Sequence, residues 1–153
     1  MNNGHGWHDH SRGPRDFISF GRHCWIQGGL SKDRSFAITT LDHHKDGIYT
    51  EVLNKAAIWD GGKLYEAKCP KPPYLTSTNL PPPTFPIVLE YERGVVEAIG
   101  EVKRNFPHTT SRHAELIAGI APGLGILTTY KGGVVFISDG ERHNGAHERS
   151  FHF

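Results

Sequence analysis

The side chains best able to move protons crowd into the start of the chain. His5, Trp7, His8, Asp9, His10, Ser11, Arg12, Arg15 and Asp16 fall within twelve residues. Histidine exchanges protons near neutral pH, a carboxylate beside it fixes its orientation, and an arginine supplies a permanent positive charge. Asp9 and His10 are therefore the candidate proton-handling pair, with Arg15 and Asp16 as orienting partners. On an extended strand, residues two apart share a face, so His8 and His10 point one way and Trp7, Asp9 and Ser11 the other. Gly13-Pro14 interrupts regular backbone here, which lets Asp9 and His10 turn toward one site. The same residues also suit a second role, a hydrogen-bonded plug that closes one end of a fold through Arg–Asp pairing.

A His-x-His pair also raises the chemistry of cupin-type metal centres. Those sites need an acid a few residues on and a further histidine from a later strand. The acid here is Asp16, beyond the Gly-Pro break, and His143 or His147 would have to complete the set. That spacing fits poorly, and no metal or other cofactor is expected. Eleven histidines in all predict that stability or association changes between about pH 5 and 7. Trp7, Trp25, Tyr49 and Glu148 are the candidates for contact with a ligand. Trp25 and Trp59 also suit a core, and a Glu148 facing inward would need Arg15 or a histidine as partner. Gly119–Gly125 lacks the Lys-Ser/Thr ending of a phosphate loop.

Positioning such groups falls to short alternating runs with turn residues every eight to twelve positions, the pattern of strands. Strands are expected at Phe17–Phe20, Arg22–Gly28, Ser35–Asp42, Gly47–Asn54, Ala56–Trp59, Lys63–Lys68, Ile87–Tyr91, Val95–Val102, Ile126–Tyr130, Val134–Ser138 and Ala146–Phe151. Ser31-Lys32-Asp33, Lys45-Asp46-Gly47, Asp60-Gly61-Gly62, Glu92-Arg93-Gly94 and Lys131-Gly132-Gly133 read as hairpin turns. Two stretches break the meander. Residues 69–86 are rich in proline, which cannot donate to a ladder, so they read as an extended loop: a lid, a partner-binding arm or a plain cover. Residues 107–125 read as a short helical turn or an irregular strand. So many short antiparallel strands must close or stack to hide their edges. The expected fold is all-β: one antiparallel barrel domain over residues 1–153, with eight to eleven strands and room for one small ligand.

Composition removes other classes. A formal net charge of +1 with both signs interspersed is no footprint for nucleic acid. No apolar run reaches the roughly 18 residues of a membrane helix. The N-terminus lacks the basic and apolar regions of a secretory signal, and Cys24 and Cys69 lack metal-ligand spacing, so a cytoplasmic protein with two reduced thiols is expected.

The segment Asp9-His10-Ser11-Arg12-Gly13-Pro14-Arg15-Asp16 resembles the Asp-His-Ser-Trp-Gly-Pro-Arg-Asp signature of lipocalin-like proteins related to carotenoid 1,2-hydratase and the AttH group. Asp139-Gly140 through Gly145 and Glu148 is similar to the Asp-Gly-x-x-x-x-Gly-x-x-Glu that ends the same domain. The resemblance implies a calycin-type barrel that binds or transforms hydrophobic molecules such as terpenoids or steroids by metal-free hydration, dehydration or isomerisation. It covers the second of the family's two barrel-like domains, and Arg12 stands where the family has Trp, a residue whose π face can stabilise a carbocation. A lone half predicts a homodimer that rebuilds the pair. The expected function is binding, with conversion, of a hydrophobic small molecule by a lyase or isomerase. A non-catalytic binding or interaction module and a metal-dependent cupin-like enzyme are the alternatives.

Overall fold

The computed structural model describes residues 20–76, 81–109 and 127–152. Among these residues there are nine strands: β1 (Phe20–Ser31), β2 (Arg34–Lys45), β3 (Ile48–Asp60), β4 (Lys63–Lys68), β5 (Thr84–Tyr91), β6 (Gly94–Val102), β7 (Phe106–Thr109), β8 (Leu127–Ser138) and β9 (Glu141–His152). Every pairing is antiparallel. Strands β1 to β6 form a meander, β8 and β9 continue it, and β1–β9 and β6–β8 pairings close the ring. The result is a closed eight-stranded barrel. The ninth strand, β7, lies on β8 just beyond the end of β6, so Val134–Ile137 pair with β6 and Thr128–Lys131 with β7.

The alternation of the sequence decides which side chains fill the ring. Cys24, Ile26 and Leu30 of β1, Phe36 and Ile38 of β2, Ala56 and Ile58 of β3, Phe85, Ile87 and Leu89 of β5 and Phe136 of β8 belong to one buried cluster. Each large member contributes about 1.5–3 kcal/mol by leaving water. The tight turns follow from their residues. Asp46-Gly47, Gly61-Gly62 and Asp139-Gly140 all have positive φ at both positions, which gives the twist that two-residue hairpins require.

Three expectations are corrected. β3 and β8 each run unbroken where two strands were expected, and Lys131-Gly132-Gly133 lies inside β8 instead of forming a turn. Gly132 is there for clearance: a Cβ on it would stand 1.7 Å from the carbonyl oxygen of Arg104. Residues 103–105 cross β8 at this point, and the amides of Lys103 and Arg104 both donate to the Gly133 carbonyl, at 2.9 and 3.2 Å. The proline-rich stretch ends earlier than expected, because Pro86 sits within β5. β4 pairs with β5 only at Ala67–Tyr91 and Lys68–Glu90, so a residue without an N–H costs no ladder bond on that flank. Pro107 is likewise accommodated in β7, an end strand of the sheet order paired on one side only.

The Gly132 clearance predicts a large asymmetry between neighbours. Gly132→Ala should lower stability by about 3 kcal/mol, the upper range for overpacking. Gly133→Ala, where a Cβ meets nothing within 4 Å, should leave it within about 0.5 kcal/mol. Urea denaturation of both variants is the check, and equal losses would refute the account.

Candidate functional site

One end of the barrel is polar and roofed. Arg22 and Asp42 stand opposite each other in the β1–β2 register, and both nitrogens Nε and Nη2 of Arg22 donate to Asp42 Oδ2, Nε at 3.1 Å. The Tyr74 hydroxyl donates to the other carboxylate oxygen at 2.9 Å. The guanidinium of Arg22 lies between two rings, 4.0 Å from the centroid of Tyr49 and 4.5 Å from that of Tyr74. Tyr49, placed opposite His44 by the β2–β3 register, stacks on it at 4.6 Å. Tyr74 belongs to residues 69–76, which leave the end of β4 and form the roof. Asn54 ties the start of this segment twice: its amide donates to the Cys69 carbonyl at 3.0 Å and its oxygen accepts from the Cys69 amide at 3.2 Å. Burial pushes the Tyr74 hydroxyl up, so it remains a donor to Asp42.

Beneath the roof, five inward residues stand in one cross-strand row: Tyr130, Arg149, Cys24, Thr40 and Asn54. Arg149 is only 1% exposed. Its Nη1 reaches the Pro73 carbonyl at 3.5 Å, a long contact, and its guanidinium lies 4.2 Å over the ring of Phe85. Nε and Nη2 have no hydrogen-bond partner. None of the ion pairs among the described residues includes Arg149. Nor is a thiolate available as counterion. Burial drives the Cys24 thiol well up, against a smaller downward pull from Arg149, and it pushes Cys69 up to about 11. A buried guanidinium cannot escape by losing its proton, so it carries a desolvation cost of several kcal/mol until an anion reaches it.

The next row down holds Gly132, His147, Ile26, Ile38 and Ala56. His147 is 2% exposed; the Arg104 backbone lies near its ring, but among the described residues neither ring nitrogen completes a hydrogen bond. Burial first and the Arg149 charge second hold its pKa down to about 4. The imidazole is therefore neutral at physiological pH.

The far end of the barrel closes differently. Asp60 accepts from Tyr91 at 3.2 Å and from Arg93 at 3.0 Å, and it pairs with Arg34 at 3.5 Å. An open groove of about 920 Å³ runs outside that end, past Arg34, Trp59 and His143.

Of the residues chosen from the sequence, Trp7, Asp9, His10, Arg15 and Asp16 lie outside the described residues. Tyr49 is part of the roofed end. Trp25 is half-buried on the outer wall, opposite in face to Cys24 and Ile26. Glu148 is also on the outer wall, where it pairs with Lys131 at 2.8 Å. His143 bonds Glu141 at 2.9 Å while His147 lies inside. Among the described residues no three His, Cys, Asp or Glu side chains converge as metal ligands, and no helix is long and apolar enough to cross a membrane. Sequence reasoning missed Arg22, Asp42, Tyr74 and Arg149. Parity puts Arg149 and His147 on one face of β9, but only the register with β1 shows that this face is the inner one. The chain matches no family model, no curated protein and no solved structure.

The depressed pKa of His147 has a signed consequence. Between about 6.5 and 4 the unfolded chain binds a proton there that the folded barrel refuses, so stability is complete above that window and falls as the pH drops through it. The loss reaches about 3 kcal/mol at the acid end. Melting temperatures from pH 7.5 to 4.5 should fall more steeply for the wild type than for His147→Leu, and parallel curves would contradict the assignment.

Proposed function

We propose that this barrel binds a hydrophobic small molecule at the end roofed by residues 69–76. The observation that carries the reading is unfilled hydrogen-bonding capacity sealed beneath the roof: Arg149 and His147 each keep two nitrogens without partners among the described residues, in an interior that is mostly apolar. Ligand sites combine mostly apolar walls with a few convergent polar groups, and barrel mouths are among their usual places. The cover is held by few polar contacts, those of Asn54, Tyr74 and Pro73. The resemblance to the carotenoid hydratase and AttH group points the same way, toward terpenoid or steroid-like molecules. Chemical conversion of such a molecule rests on Asp9 and His10 and is proposed only together with them.

The latch supplies the test. Nile red, a neutral apolar dye, should bind the wild-type protein with enhanced fluorescence. Tyr74→Phe removes one hydrogen bond from the roof, worth about 1 kcal/mol, so it should bind the dye about fivefold more tightly while melting a few degrees lower. No dye binding by either protein would refute the reading.

Self-association is proposed on separate grounds. Trp59 and Leu64 are cross-strand partners on the outer wall, 47% and 63% exposed, and apolar exposure of this kind favours a second copy. Light scattering at micromolar concentration should give the mass of two chains, and Leu64→Lys the mass of one. A wild-type mass of one chain would exclude the dimer.

A further inference from the structure

The structure also points to the chemical class of the ligand, an inference that rests on the barrel being a small-molecule binder. We propose that the bound molecule has an oxyanion head, a carboxylate or phosphate monoester on an apolar body, and that Arg149 receives the head.

The guanidinium presents its donors along edges. Nη1 is spent on the Pro73 carbonyl, at 3.5 Å, whereas Nε and Nη2 both lack partners. Nε and Nη2 form one edge, with two parallel N–H bonds whose spacing matches the two oxygens of a carboxylate or phosphate. Among the described residues, the groups lining this part of the barrel leave the edge without an anion. Asp42 is engaged by Arg22 and Tyr74. Glu148, the next residue along β9, faces outward to Lys131. Cys24, the cross-strand neighbour, keeps its proton, and His147 is neutral. Phe85 covers one face of the guanidinium at 4.2 Å, which leaves the edge as the direction of approach and provides an apolar wall beside it.

The roof carries a weak substitute for such a ligand. Pro73 offers Arg149 a neutral carbonyl, while Tyr74, the next residue, packs against the core cluster. An oxyanion with an apolar tail replaces both contacts at once, and it exchanges one long bond to a neutral carbonyl for two bonds to a charged acceptor. Binding then requires residues 69–76 to lift, which couples uptake to the Tyr74 latch.

Calorimetric titration at pH 8 with dodecanoate, dodecyl phosphate, dodecanol and inorganic phosphate separates the possibilities. The wild-type protein should bind at least one of the two anionic amphiphiles 30-fold or more tightly than dodecanol, and the one that binds identifies the head. Inorganic phosphate alone should bind at least 100-fold more weakly. Arg149→Met should bring the anions to that variant's own dodecanol level, without weakening dodecanol. The ligand-free Arg149→Met protein should also melt higher than the wild type, because it removes a buried charge without a partner. Equal binding of dodecanol and both anions overturns the anionic head and leaves the small-molecule reading intact. Binding of no amphiphile, with Nile red also excluded, removes both. A lower melting temperature for Arg149→Met would mean that a carboxylate of this chain already occupies the edge, and inorganic phosphate binding as well as the amphiphiles would mean that the tail plays no part. Either result overturns the proposal.

Discussion

Ring closure is the constraint on which the other features depend. Once β9 pairs with β1 and β8 with β6, every strand has an inside and an outside, and the period of two sends alternate residues into a space that eight strands make just wide enough to fill. Most inward positions hold Ile, Leu, Phe, Ala or Cys and satisfy that space by apolar packing. Arg149 and His147 occupy inward positions for the same geometric reason, because they alternate with Glu148 along β9 and face Cys24 and Ile26. Their burial follows from where the strand must lie, with no hydrogen bond to offset the loss of water for four of their nitrogens.

The two ends of the barrel solve the same problem in different ways. At the far end Asp60 meets Arg34, Arg93 and Tyr91, so both arginines have a carboxylate partner within the chain. At the roofed end Arg22 is neutralised by Asp42, but Arg149 one row deeper meets no carboxylate among the described residues. A barrel selected only for rigidity gains nothing from that second arginine, since an apolar side chain of similar volume is generally as stable or more so. This asymmetry between the two ends is what the proposed ligand site rests on.

The strand pattern and the turns were legible because they are local. Asp46-Gly47 and Gly61-Gly62 announce their hairpins through residues that tolerate positive φ, and runs such as Phe36-x-Ile38 and Ile87-x-Leu89 alternate plainly. Gly132-Gly133 misled because the same residue type serves turns and close backbone approaches, and only the position of Arg104 tells them apart. Pro86 misled because proline is excluded from ladders that are paired on both sides, and nothing local reveals that β4 is too short to reach it. The site was less legible still. In His147-Glu148-Arg149-Ser150 every residue is polar, so neither face declares itself, and the inward set emerges only from the register with β1. Tyr74 and Asp42 are 32 residues apart, a proximity that no spacing rule contains.

Closure of β1 against β9 has a further meaning for the birth of the protein. The hairpins from β1 to β6 can pair as they leave the ribosome, since each needs only its sequence neighbour. The first of these strands, however, finds its second partner only when residues 145–151 emerge. Until then the sheet is open and the edge of β1 that faces β9 is unpaired, the kind of edge that invites intermolecular strand pairing. Such non-local pairing is intrinsically slow. Closure of this barrel therefore waits on β9, and a chain that stops short of it keeps that edge open.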